Sequence, residues 1–312
     1  MHDASKRNLL AREIRARCRG ELLVDEPLKK HTHFGLGGAA DLFFRPVDMD
    51  DLITAVPLVL DSEQQVLPLG GGTNMLVSDA GFRGLVICLA GGLSGMAVES
   101  DRGIAQAGAS LQVFSRRCQR AGRTGMEFGC GIPGTVGGAI RGNAGAWGGQ
   151  IMERAAWLRG LDLRSGEALE LQRDSISFSY RRTVLPEGFL IVEAGFFLEE
   201  DDPGTVQARM DEMLAQRRSS QPLWARNAGC IFKNPPGTSA GLLIDRAGCK
   251  GLSVGDVEVS DVHANFIVNR GGGTAADVLS LVRTVQERVR KAFGIEMNME
   301  VRVVGERGIE NP

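Results

Sequence analysis

Val66-Leu67-Pro68-Leu69 runs directly into Gly70-Gly71-Gly72-Thr73-Asn74, and further on Gly131-Ile132-Pro133-Gly134-Thr135-Val136-Gly137-Gly138-Ala139 is followed closely by Asn143-Ala144-Gly145-Ala146. These two glycine clusters decide the fold. A short apolar run that ends in glycines reads as a buried strand feeding a loop. Successive backbone N–H groups without Cβ hindrance can form a concave anion cradle. Two such loops from different parts of one chain could grip an extended dinucleotide along its pyrophosphate. Taken singly, either loop also reads as a structural turn cluster.

A formal dinucleotide fingerprint, Gly129-x-Gly131-x-x-Gly134, overlaps the second cluster. It is rejected as a Rossmann loop, because that motif must follow a buried strand and open a helix. Here Thr-Gly-Met-Glu-Phe precedes it, and Pro133, Gly134, Gly137 and Gly138 predict a poor helix start. No Walker A sequence is present.

Composition sets the outer limits. Glycine is the outlier, with 42 of 312 residues, nearly double the usual share of about 7%. The chain is 43% hydrophobic and 24% charged, enough for a sizeable core and unlike a disordered segment. Its length suggests about two domains of roughly 150 residues. With 36 basic and 38 acidic residues the formal net charge is -2, so the charge balance points to neither nucleic acid nor an anionic membrane. Six cysteines, at 18, 88, 118, 130, 230 and 249, show no CxxC spacing. No metal site is expected, and buried thiols in a reducing compartment are. The N-terminal MHDASKRNLLAREIRARC lacks the apolar run of a signal peptide, and no stretch approaches the roughly 18 apolar residues of a membrane span. A cytoplasmic protein without membrane insertion is expected.

Along the chain, Ser5 is expected to cap a helix that carries Leu9, Leu10 and Ile14 and closes at Gly20. A helix over 50–60 should be interrupted or kinked at Pro57. Ser110 caps another through Leu111, Phe114 and Cys118, and strands are expected near 85–89, 103–108, 155–163 and 189–198. Asp201-Asp202-Pro203-Gly204 reads as a turn and domain boundary before a helix over 206–218. VHANFIV (262–268) reads as a strand, and Thr274 with Asp277 as the capping box of a helix ending at Gly294. MNMEVRVV (297–304) closes the chain as a strand. The expected division is an N-terminal helix over 1–21, sub-units over 22–90 and 91–203, a C-terminal domain over 204–305 and a tail over 306–312.

GGGTN after a strand, then GIPGTVGGA with Asn-Ala-Gly shortly after, resembles the FAD domain of vanillyl-alcohol-oxidase-type flavoproteins. SYRR near 180, NAGCIFKNP (227–235), AGLLIDRAGCKG (240–251), HANFIVN (263–269) and MEVRVVG (299–305) narrow the resemblance. They stand in the order found in the UDP-N-acetylenolpyruvoylglucosamine reductase (MurB) family, and the short spacing after Tyr180-Arg181 resembles its compact branch. The resemblance runs from about residue 29 to 305. It implies an α+β chain in which a two-subdomain vanillyl-alcohol-oxidase-type (PCMH-type) FAD-binding domain, 22–90 and 91–203, precedes an α/β substrate-binding domain, 204–305.

The family resemblance also implies non-covalent FAD, NADPH as hydride donor, and reduction of the enolpyruvyl group of a UDP-sugar in cell-wall precursor synthesis. Gly70, Gly71, Gly72, Thr73 and Asn74 of the first loop are the expected cofactor residues, with Gly131, Ile132, Pro133, Gly134, Thr135, Gly138, Asn143 and Gly145 of the second. Hydride addition to the methylene carbon leaves negative charge on the neighbouring carbon and the carboxylate. That demands a cationic or hydrogen-bonding stabiliser and a proton donor. By resemblance Arg181 is the stabiliser, and its planar guanidinium suits a carboxylate. Cys230 stands at the proton-donor position, where many members carry serine, and Glu300 is the third catalytic residue. Without the resemblance these would read as a surface ion-pair arginine, a small buried loop residue and a solvated strand face.

Tyr180, Lys233 and Asn234 are the candidate substrate residues. Ser220-Gln221-Pro222 departs from the lysine that family members often carry before Gln-Pro, leaving Arg217 or Arg218 as the candidate replacement, and Trp147 stands where Tyr or His is usual. The glycine loops alone would equally serve another FAD-dependent oxidoreductase acting on a sugar or lactone, or a non-catalytic nucleotide-binding protein.

Overall fold

The computed structural model describes residues 2–310, with side chains from residue 5 onward. The chain divides into two compact units built from non-contiguous segments. Residues up to Val24, Leu42–Gly71 and Gly84–Arg217 make the first; Asp25–Asp41, Gly72–Arg83 and the residues from Arg218 on make the second.

The first unit is organised by a five-stranded antiparallel sheet in the order Ala168–Gln172, Ala155–Asp162, Phe189–Phe197, Arg102–Gln106, Met96–Glu99. Phe189–Phe197 is central and almost entirely apolar, as a strand covered on both faces requires. Phe196 meets Phe114 of the helix Leu111–Arg120 with ring centroids 5.3 Å apart. Gly103 makes room for that pair, since a Cβ there would come within 2.8 Å of Phe114 Cζ. Burying each ring contributes about 1.5–3 kcal/mol. A four-stranded sheet has the order Glu21–Pro27, Ala39–Arg45, Phe82–Cys88, Val66–Leu69, and its last two strands run parallel. Val66–Leu69 is an edge strand, which is why Pro68, lacking an N–H, is tolerated.

The second unit packs the helix Ala275–Phe293 against two three-stranded sheets' worth of short strands, burying Val278, Leu281, Val282, Val285 and Val289. The expected capping box is complete: Thr274 Oγ1 accepts from the Asp277 N–H, and the Asp277 carboxylate from the Thr274 N–H. Asp79 accepts from the next two amides, Ala275 N and Ala276 N, at 2.8 and 3.0 Å. Gly294 ends the helix at φ 69°.

Several local expectations are corrected. The first helix spans His2–Arg17, so it begins before Ser5 and ends before Gly20. Gly20 serves close approach instead, because a Cβ there would overlap the Arg45 carbonyl oxygen. Pro57 does not interrupt the helix Met49–Ser62. Proline removes the bond its N–H would have made to the carbonyl of Ile53, a residue that is 49% exposed. The strand expected over 262–268 is shortened to Ile267–Asn269, since Ser260 Oγ draws the Val262 and His263 amides into a turn. The closing strand shrinks to Arg302–Gly305, because the Glu300 and Val301 amides donate instead to Ile231 O. A helix does start within the second glycine cluster, despite Gly137 and Gly138: Val136–Arg141, capped by Thr135 Oγ1. A five-residue 3-10 turn, Glu127–Gly131, precedes that cluster where a Rossmann loop would need a strand. Of the tail, residues 311–312 lie outside the described residues, and Gly308–Glu310 pairs antiparallel with Arg302–Gly305.

Candidate functional site

In the first unit the two glycine clusters meet. A Cβ on Gly70 would overlap Thr135 Oγ1, so the strand Val66–Leu69 delivers its loop onto the second cluster only because Gly70 has no side chain. Gly131 is similarly close to two long side chains, with a virtual Cβ 3.1 Å from both Arg217 Cδ and the Trp147 ring. Trp147, at φ 49°, donates through Nε1 to Gln216 Oε1 at 2.9 Å. This lining of bare backbone, an indole and an arginine stem fits a flat, phosphate-bearing cofactor such as FAD.

The expected run of outward amides is narrower than the sequence suggested. Ile132, Val136, Gly137 and Ala139 donate to the carbonyls of Gly129, Ala109, Ala107 and Thr135, and Gly138 to Thr135 Oγ1. Capping the short helix and bridging Ser110 to Thr135 consume those donors. Pro133 has no N–H to offer, and the turn between the committed amides is made at Gly134, with φ 113°. Gly145 pairs with Gln150 in a two-residue ribbon. Asn143 is fully buried at φ 41°, and its side chain is engaged within the protein.

Tyr180 and Arg181 form the tip of a hairpin between Phe178–Ser179 and Arg182–Thr183. Arg181 has φ 54°, a backbone region where glycine is the default at this turn position. Holding a non-glycine residue there costs about 1–3 kcal/mol and persists where its surroundings fix it. The Arg181 guanidinium carbon lies 5.2 Å from the Tyr180 ring centre, a cation–π contact on a half-exposed tyrosine.

The second unit brings Asn74, Cys230, Lys233 and Glu300 onto neighbouring stretches. Glu300 N donates to Ile231 O at 2.8 Å, Lys233 N to Asn298 O at 2.9 Å, and Phe232 bridges Met299. Cys230 bridges Phe266 on its other side. Asn74 Nδ2 donates to Glu300 O at 3.2 Å, and Arg302 N donates to Asn74 O at 3.1 Å. Buried Met297, Val301 and Val303 alternate with partly exposed Glu300 and Arg302, so the expected facing persists outside regular strand. Asn234 Oδ1 caps the chain at Ala240 N, 2.9 Å away. Within the loop of Gly72–Asn74, Gly72 has φ 60° and crowds the His31 carbonyl so closely that no Cβ would fit.

Asn265 went unassigned in the sequence although it sits in HANFIVN. It is 2% exposed, with Oδ1 accepting from Phe232 N at 2.9 Å and Nδ2 donating to Phe232 O at 2.8 Å. It thus acts as a surrogate strand beside Cys230. The only sequence signal was an amide in the middle of an apolar run, where a buried polar group must find partners.

All six cysteines are free thiols. Burial pushes the Cys118 thiol up to about 12 and that of Cys18 up to about 11, so both stay protonated and inert. Among the described residues no cluster of three or more His, Cys, Asp or Glu could hold a metal ion, and no helix is long and apolar enough to cross a membrane. A polar cavity of about 280 Å³ in the second unit, lined by Lys29, Gly37, Asp79 and Gly272, touches none of the candidate residues.

Comparison with known proteins agrees with this division of labour. Residues 40–172, which hold both glycine clusters, match an FAD binding domain family. Residues 221–304, which hold Cys230, Lys233, Asn234 and Glu300, match the UDP-N-acetylenolpyruvoylglucosamine reductase C-terminal domain. The UDP-N-acetylenolpyruvoylglucosamine reductase of Geobacter metallireducens is 45% identical over 94% of this chain and 97% of its own length. That of Rubrobacter xylanophilus is 42% identical over 90% and 95%. The crystal structure of the Thermus caldophilus enzyme (MurB) superposes with a TM-score of 0.78 at 36% identity, covering 91% of this chain and 98% of that one. With similarity at this level along nearly its whole length, the chain belongs to the UDP-N-acetylenolpyruvoylglucosamine reductase family.

Proposed function

We propose that this chain reduces the enolpyruvyl ether of UDP-N-acetylglucosamine enolpyruvate to UDP-N-acetylmuramate, in the cytoplasm, as a step in peptidoglycan precursor synthesis. FAD, when bound without a covalent link, supplies to the substrate the hydride that NADPH provides. The residues that would hold it are Gly70, Gly71, Gly131, Pro133, Gly134 and Thr135, with Gly72, Thr73 and Asn74 continuing the first loop. Tyr180, Lys233 and Asn234 bind the UDP-sugar, and Arg217 is the candidate for the charge missing at Ser220.

The chemistry asks the protein for two things. Hydride arrival at the methylene carbon leaves a carbanion-like centre conjugated with the carboxylate. The Arg181 guanidinium binds that carboxylate in a bidentate fashion and lowers the barrier as charge develops. Cys230 Sγ–H then gives its proton to the neighbouring carbon, completing addition of two hydrogens across the double bond, and the thiolate recovers a proton from water. A thiol of ordinary pKa, roughly 8.5, is a stronger acid than the serine hydroxyl it replaces. Glu300 completes the set, tied to the acid through the bond from its N–H to Ile231 O.

The observation that carries the reading is that bond, which puts Glu300 next to Ile231, the residue following Cys230, although 69 positions separate the two in sequence. The test is direct. The purified protein should show a flavin absorption spectrum and oxidise NADPH steadily only when UDP-N-acetylglucosamine enolpyruvate is added. A colourless preparation that takes up no FAD would refute the reading, as would oxygen-driven turnover of a free sugar.

A further inference from the structure

Arg181 sits at the tip of a two-residue turn with a left-handed backbone, on strands only two residues long. Such a hairpin has too few ladder bonds to fix its own tip. Two buried side chains flank it. Asn143, fully buried, donates through Nδ2 to Ser179 O at 2.9 Å, the residue just before the tip. Thr183, 7% exposed and two residues after Arg181, donates through Oγ1 to Ile140 O at 2.5 Å. Both bonds attach to the end of the second glycine cluster, the helix Val136–Arg141 and its exit. Asn143 is itself held on all sides: Nδ2 also donates to Gln150 Oε1 at 2.8 Å, and Oδ1 accepts from Met152 N at 3.3 Å. Its φ of 41° is a conformation that asparagine and aspartate adopt more readily than other side-chain-bearing residues.

We propose that Asn143 and Thr183 are positioning residues for Arg181, a two-point clamp that fixes the Tyr180–Arg181 tip to the backbone of the second glycine cluster. The inference rests on the reading of Arg181 as the group that binds the substrate carboxylate. It gives Asn143 a role other than direct contact with the cofactor. Removing either point leaves the guanidinium present but free to shift, and a misplacement of about 1 Å can cost on the order of 100-fold in rate.

The experiment uses the flavin-loaded full chain with Asn143→Asp, which keeps the backbone preference and the acceptor but loses the donor, and Thr183→Val, which removes only a hydroxyl. Reduction by NADPH and reoxidation by UDP-N-acetylglucosamine enolpyruvate are followed separately under anaerobic conditions. Flavin content and NADPH reduction should stay within a factor of about three, while reoxidation slows about 10- to 100-fold. In an Arg181→Ala background neither substitution should cost anything more, because residues acting as one unit are non-additive.

A structural readout is built into the sequence, since Tyr180 is the one tyrosine of the chain. Fluorotyrosine labelling therefore gives a single 19F resonance at the hairpin tip, which should shift or broaden in each variant even without substrate. Losses that add to that of Arg181→Ala, equal slowing of both half-reactions, or an unchanged 19F line would each overturn the clamp. Parent-rate reoxidation by Arg181→Ala would instead bring down the reading of Arg181, and the clamp with it. Should Asn143→Asp fail to fold, Thr183→Val decides the question alone.

Discussion

Around Cys230 and Glu300 the chain is held by its main chain. Ile231, Phe232 and Lys233 exchange bonds with Asn265, Asn298, Met299 and Glu300, and the buried amide of Asn265 fills in where a ladder partner is missing. Around Arg181 the main chain contributes two short strands, and two side-chain bonds hold the rest, one from Asn143 elsewhere in the first unit and one from the hairpin's own Thr183. The first arrangement places a small thiol with little freedom to lose. The second places a long, flexible cation on a strained turn, where rotamer freedom is large and the anchor must come from outside. Backbone pairing tolerates many side-chain substitutions, except where the Asn265 side chain stands in for a strand, whereas a side-chain clamp fails with one.

That contrast can be broken in order of expected effect. If the thiol is the proton donor, Cys230→Ala should leave NADPH reduction of the flavin intact and slow reoxidation by the enolpyruvyl substrate about 10²–10⁴-fold. Stopped-flow traces of the two half-reactions check this, and equal losses in both would make Cys230 structural. Next, Asn265→Ala leaves Phe232 N–H and C=O without partners. Each unsatisfied buried group costs about 1–3 kcal/mol, so urea denaturation should show one of the largest single-site destabilisations in the second unit. A near-neutral result would mean that backbone pairing there does not depend on the surrogate strand.

The remaining two predictions separate the units by pH. Burial lowers the His263 pKa below its ordinary 6.5, and the neutral ring accepts the Asn265 N–H at Nδ1. The folded state thus binds fewer protons than the unfolded one, so this contribution is complete above pH 6.5 and is lost as pH falls through the lower folded value. Hydrogen exchange near Cys230 should speed up over that range, and His263→Gln should flatten the response.

In the first unit Glu127 responds later. Burial opposes its ionisation, but hydrogen bonds from Thr124, Arg209 and the Gly125 amide outweigh it and hold the carboxyl below its ordinary 4.5. Its contribution is present above pH 4.5 and is lost as pH falls through the depressed value. Because Glu127 opens the turn that leads to Gly131, flavin retention should weaken in that acid range, and less steeply in Glu127→Gln. Flavin loss that begins with the His263 transition instead would show that the two regions are not independently held.

Much of the fold was legible because its signals are local. The capping box of Thr274 and Asp277 and the cap at Ser110 each depend on neighbours a few residues away. The misreadings share another cause. Gly20 looked like a helix stop and is a contact with Arg45; Pro57 looked like a break and lies inside an unbroken helix. The amides from Ile132 to Ala139 looked free and are largely committed to partners as distant as Ala107. None of those partners can be inferred from spacing.

The sequence by itself pointed to the cofactor class and the reaction, because motifs standing in order along nearly the whole chain carry the family, whereas the glycine loops alone left other uses open. It also named Arg181, Cys230 and Glu300 as the candidate catalytic residues. Only the tertiary structure decided what holds them: Asn265 beside Cys230, Asn143 and Thr183 around Arg181, and the overlap at Gly70 and Thr135 that joins the two loops. The physical reason is that a chemical role follows from residue type and motif, whereas a buried amide or a missing Cβ acquires meaning only from the atoms that folding brings against it.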